Sequence, residues 1–308
     1  MKVALCFLIS YDHVLVMESL WREWIEPNAH FINVYFFYKH FSKIRSPWIR
    51  QHALPLSHIV PTTYASVVPG YLSVLQYAYS HDRTNRWFCM LTDTCCPIVS
   101  PAEFRRKWYA HAFRSVFSWR PAWWNVHSQR RANLAALPPE LHLANDPWFT
   151  LTRQHVGQIL DAAKHTHASL VRRVCAGPIA NESVFAILLF LCGELRANNA
   201  RLLCSPSHAA DWTRMSSPTS PYVFGYANDR DMAFLEEQRA KNPCLLFVRK
   251  VSCQFPDDVP RYFWAQDDGA APKPTAWTRV CEYMYFHVWL WFWCLVLGDS
   301  LFVRFFSY

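Results

Sequence analysis

The chain has 308 residues and a formal net charge of +8, with 52% hydrophobic and 18% charged residues, which excludes a disordered or low-complexity polypeptide. Seven glycines against 15 tryptophans and 22 phenylalanines exclude collagen-like and Gly-rich phosphate-loop architectures. The positive balance favours anionic partners, but the basic residues are dispersed and carry no RNA or DNA motif, so nucleic acid is not an expected partner.

Residues 3–9 form a short apolar run with no small-residue cleavage site behind it. That pattern predicts a buried first strand in place of a cleavable signal peptide, so the chain is expected to start directly with its fold. Helical spacing over 13–24 (Val14, Met17, Leu20, Trp21, Trp24) is followed by a strand over 31–38 (FINVYFFY), rich in β-branched and aromatic residues. A second helical pattern spans 66–79, and a third buried strand spans 87–91, closed by Thr92-Asp93-Thr94. Strands alternating with helices predict an α/β fold with a mainly parallel sheet flanked by helices and chemistry at the strand ends.

The Pro-rich stretch 119–147 reads as a long loop over the sheet, a usual place for substrate contacts. Helices are expected over 149–163 and 182–195, the second capped by Asn181 with Glu182 in its first turn. A late strand over 245–251 carries Arg249 and Lys250. The one literal Asp-x-Asp, Asp229-Arg230-Asp231, reads as a solvated charge run. Residues 1–258 are expected to form the main domain, 259–279 a linker, and 280–308 a hydrophobic C-terminal segment forming a helix.

That last segment has an uninterrupted apolar core of ten residues, 288–297, whereas spanning a bilayer takes roughly 20. Extending it to Phe306 takes in Gly298, Asp299 and Arg304. The expectation is membrane contact through 283–306, as a tail anchor or interfacial helix, with a packed terminal helix as the alternative. Which membrane face is involved, cytoplasmic or ER/Golgi, stays open. The eleven cysteines lack Cys-x-x-Cys and zinc-ligand spacing and read mostly as small buried hydrophobes in a reducing compartment, one or two lumenal disulfides being the alternative.

Several short segments, in order, resemble the core-2/I-branching β-1,6-N-acetylglucosaminyltransferases and related plant and xylosyltransferase-type proteins. The opening strand is similar to theirs. Residues 87–98 (WFCMLTDTCCPI) resemble a strand followed by "LLSxxCxPL", and Arg130-Arg131-Ala132-Asn133 resembles "RxRYN". Residues 146–153 (DPWFTLTR) resemble "GSQWFxLxR", and 181–185 (NESVF) match "DEHYF" with Asn for Asp. Asp211-Trp212 with Phe224-Gly225 resembles "VDW…FG", and 246–251 (LFVRKV) resemble "LFARKF". The similarity covers about residues 2–258.

The resemblance implies a GT-A-like glycosyltransferase that moves a sugar, N-acetylglucosamine or xylose, from a UDP-sugar to a glycan or glycoprotein hydroxyl. It implies inversion at the anomeric carbon, no metal and no other cofactor. By the same resemblance Glu182 is the general base, against a plain first-turn carboxylate. Lys250 and Arg249 face the donor diphosphate, against surface charge. Asp93 meets the nucleotide or only caps its turn. Trp212 stacks on the acceptor or packs in the fold. Arg131 contacts the acceptor or is a solvated loop residue. The family's second cation has no counterpart in 217–221, and that departure keeps open a non-catalytic, membrane-associated interaction protein on the same fold.

Overall fold

In the computed structural model of the chain, residues 1–111, 113–127, 131–196, 199–217 and 220–270 are described. Residues 1–264 form one compact unit; of a second unit beginning at Ala265, only residues up to 270 are described. The expected C-terminal helix and its membrane contact through 283–306, Arg130, and Pro218-Thr219 lie outside the described residues.

The central sheet has six strands. Strand β1 (Lys2–Leu8) lies between β2 (Ile32–Phe37) and β3 (Asn85–Thr92), parallel to both. Beyond them come β4 (Cys95–Pro97), helix α4 (Pro101–His111), β5 (Ser115–Val116), and the pair β6 (Trp119–Pro121) and β7 (Leu143–Asn145). Next follow β8 (Thr150–Thr152), β9 (Leu202–Leu203), β10 (His208–Ala210) and β11 (Phe247–Arg249). The sheet order is β2-β1-β3-β8-β5-β9. Strand β8 runs antiparallel to both neighbours, so the expected mainly parallel sheet is present with one reversed strand. A smaller sheet, β10-β11-β4, carries Arg249.

Period-two alternation along β1 sends Val3, Leu5 and Phe7 to one core layer, and Ala4 and Cys6 to the other. The first layer receives α1 (Glu18–Ile25) through Leu20, Trp21 and Trp24. After the short α2 (Pro47–Gln51), the second layer takes α3 (Val68–His81), α5 (Arg153–Asp161), α6 (Ala168–Cys175) and α7 (Val184–Leu191). Helices α4 and α8 (Asp229–Lys241) complete the first layer with Phe104 and Leu235. The sheet is thus covered on both faces, and continuous apolar strand sequences require such cover. The nine cysteines among the described residues are free thiols.

Four local expectations change. Helix α1 begins at Glu18 and not at 13, because His13 and Met17 adopt positive φ, which breaks the helical run. The stretch 119–147 is not all loop: β6 and β7 pair within it. Residues 150–152 are a strand, since their alternating β-branched residues pair with 87–89; Thr152 then caps α5 by accepting from the His155 amide. The stretch expected as a linker from 259 begins with helix α9 (Asp258–Ala270), whose Val259 and Phe263 are buried in the first layer.

Candidate active site

Glu182 does not sit in a helix. It ends a 3-10 turn, Ala180–Glu182, before α7, and Asn181 makes no cap; Ser183 occupies that position instead. Asn145, at the end of β7, fixes the turn. Its amide donates to the Asn181 carbonyl at 2.9 Å, and its carbonyl oxygen accepts from the Ala186 amide at 3.1 Å.

Arg131 donates to the Glu182 carboxylate. The two meet because residues 131–133 run against Gly177. A Cβ there would lie 2.4 Å from the Asn133 nitrogen and 2.5 Å from the Arg131 carbonyl oxygen, so only glycine permits the approach. Burial pushes the Glu182 carboxyl above its usual range, and the Arg131 guanidinium pulls it back. Arg131 is therefore not a solvated loop residue: it is the ion-pair partner of the expected base.

A second ion pair lies beside the first, with Arg120 in β6 3.4 Å from Asp146. Arg120 and Arg131 both lie over the Trp123 ring, at 4.2 and 5.5 Å from its centre, and Arg131 is 4.9 Å from that of Trp124. None of Asp146, Arg120, Trp123 and Trp124 was singled out as a site residue from sequence. Asp146 stood inside a quoted motif, and the Trp pair stood in a Pro-rich stretch, but nothing local to either marked them as neighbours of Glu182.

Arg249 is buried, stacked 3.5 Å above the centre of the Trp148 ring, and its Nε lacks a hydrogen-bond partner among the described residues. Burial pushes its guanidinium below the usual range, with Cys95, Tyr71 and Asp93 opposing. Lys250 follows it, half-buried, its ammonium shifted down by burial and by Arg249. These are not plain surface charges. Two adjacent cations, one with an orphaned buried donor, suit an anionic ligand such as a diphosphate.

Asp93 joins the two cations electrostatically and clamps the loop after β1: its carboxylate accepts from the Ser10 amide at 2.8 Å, and its carbonyl from the Val16 amide at 2.9 Å. Turn fixation is thus its visible work. A cavity of about 590 Å³, lined by Tyr11, Asp12, Val14, Ser42, Lys43 and Arg45, opens at the carboxyl ends of β1 and β2; none of the six expected site residues lines it.

Tyr71 in α3 lies within electrostatic reach of both groups of charges: burial pushes its hydroxyl above the usual range, Arg249 pulls it back, and Glu182 pushes it further up. Glu182, paired with Arg131, and Arg249, next to Lys250 and near Asp93, are therefore both within electrostatic reach of Tyr71. Trp212 stands apart. It is 41% exposed and, among the described residues, enters no ring stack or cation contact.

The Asp-x-Asp expectation also changes. Asp231 is buried, caps α8 together with Asn228, and pairs with Arg214 at 2.7 Å; Arg214 also holds Asp211 at 2.5 Å. Its carboxylate is committed to structure and is not solvated. Among the described residues, no three His, Cys, Asp or Glu side chains form a metal-ion site.

No curated protein matches the chain. A family model described as Core-2/I-Branching enzyme matches residues 29–237, a span that includes Asp93, Arg131, Glu182 and Trp212 and ends before Arg249. The chain thus belongs to the core-2/I-branching enzyme family, whose members are glycosyltransferases acting on glycans.

Proposed function

We propose that the chain transfers a sugar, N-acetylglucosamine or xylose, from its UDP carrier to a glycan or glycoprotein hydroxyl, with inversion and without a metal ion. The observation that carries this reading is the partly buried Glu182 carboxylate held by Arg131, together with the adjacent cations Arg249 and Lys250, the first with a buried Nε that has no hydrogen-bond partner among the described residues. Glu182 takes the acceptor proton as the hydroxyl oxygen attacks the anomeric carbon, after Arg131 yields its place. The bond from that carbon to UDP breaks, and Lys250 and Arg249 meet the charge left on the diphosphate. The cavity lined by Tyr11, Asp12, Val14, Ser42, Lys43 and Arg45 suits the nucleoside, since open α/β sheets bind ligands outside the carboxyl ends of their strands. Trp212 offers an exposed face to an acceptor sugar. Residues 283–306 contribute membrane contact, which flotation of the full chain with liposomes tests.

A screen of UDP-sugars for UDP release, with and without EDTA, tests the activity. Glu182→Gln is expected to lower transfer by about 10²- to 10⁴-fold while UDP still raises the melting midpoint. Wild-type turnover in that variant, or a strict manganese requirement, overturns the reading.

A further inference from the structure

Glu182 is faced by charged or titratable groups from four parts of the fold: Arg131 from the segment against Gly177, Asp146 after β7, Arg120 in β6, and Tyr71 in α3. Two carboxylates and two guanidiniums form two ion pairs here, and the Trp123 ring bridges both arginines. The placement of Asp146 is fixed from both sides. The residue before it is bonded to Asn181, the residue before Glu182, and its own amide donates to the Ser118 carbonyl at 3.1 Å. A carboxylate held by a guanidinium alone is a weak proton acceptor, because the cation favours its charged form.

We propose that Asp146 is a positioning residue of the transfer site, a second carboxylate that acts on the acceptor's proton through Glu182 and does not touch the sugar. The proposal rests on Glu182 being the base. In the step itself, the proton passes from the acceptor hydroxyl to Glu182. The oxygen's electron pair forms the new glycosidic bond, and the electron pair of the broken bond leaves on UDP. Burial raises the proton affinity of Glu182, Arg131 lowers it, Asp146 raises it again, and Arg120 partly offsets Asp146. Asp146 thus adds to burial in opposing the Arg131 guanidinium, from a position fixed beside the Glu182 turn by the Asn145–Asn181 bond and by its own pair with Arg120.

The test follows the Glu182 carboxyl itself, by carbon-13 NMR titration of the full chain, with its resonance identified through Glu182→Gln. Asp146→Asn is expected to move the midpoint to lower pH, and Arg120→Gln to move it to higher pH. Loosened packing would not give opposite signs. An unmoved midpoint, or shifts in one direction for both variants, overturns the part given to Asp146. The acid limb of UDP release from UDP-N-acetylglucosamine, with released glycoprotein glycans as acceptors, is expected to follow the midpoint. Should the midpoint move and the acid limb stay, Glu182 is not the base, and the function reading fails separately.

Discussion

Arg131 reaches Glu182 across 51 residues of chain, and the bare Cα of Gly177 is what lets the two segments touch. A methyl group at 177 would meet backbone atoms of 131–133, which cannot rotate away as a side chain can. Gly177→Ala is therefore expected to lower stability by about 1–3 kcal/mol, as overpacking does. It is also expected to reduce transfer more than it weakens UDP binding. Chemical denaturation and UDP-dependent melting check both parts; unchanged stability would show that the approach is not tight.

Lys250 and Arg249 should respond differently to truncation. Lys250 is half-buried, so Lys250→Ala is expected to leave the melting midpoint without ligand nearly unchanged and to shrink the rise that UDP produces. Arg249 fills space above Trp148, so Arg249→Ala is expected to lower the midpoint even without UDP. Melting curves with and without UDP separate the two cases.

Away from the site, a wholly buried histidine makes stability depend on pH. The His155 Nδ1 lies 2.6 Å from the Ser115 hydroxyl, and Nε2 lies 3.3 Å from the Glu194 carboxylate. The Ser–His–Glu order resembles a hydrolytic relay, but Ser115 and His155 are sealed inside the fold. Burial pushes the imidazole below its usual range, so the folded state holds it neutral. The unfolded chain binds that proton at about pH 6.5, so its contribution to stability is complete above that pH and falls as the pH drops below it. Burial works to raise Glu194, but hydrogen bonds from Gln158 and Asn199 hold it below its usual range, so it too loses stability in acid. His155→Gln is expected to flatten the fall in urea midpoint between pH 7 and pH 5; an unchanged slope would assign it to other groups.

Arg214 ties the Asp211-Trp212 loop to the start of α8. Removing it leaves two buried carboxylates without their cation, so Arg214→Ala is expected to cost on the order of 3 kcal/mol. Asp231→Asn in the same background should restore part of that loss, because one uncompensated charge is gone. Urea melts of the single and double variants provide the comparison.

Local pattern was enough for β1, β2, β3 and α3, whose apolar periods matched within a residue or two of the observed elements. Those segments are buried on the faces their own sequences specify, so neighbours could not reassign them. Order of motifs was enough to place the chain in its family and to single out Glu182. The reversed strand β8, the 3-10 turn that carries Glu182, the pairing of Arg131 with Glu182, and the neighbours Asp146 and Arg120 came only from the tertiary structure. Each depends on segments dozens of residues apart approaching at one point. Ion pairing and burial act through space, and no periodicity along the chain records them.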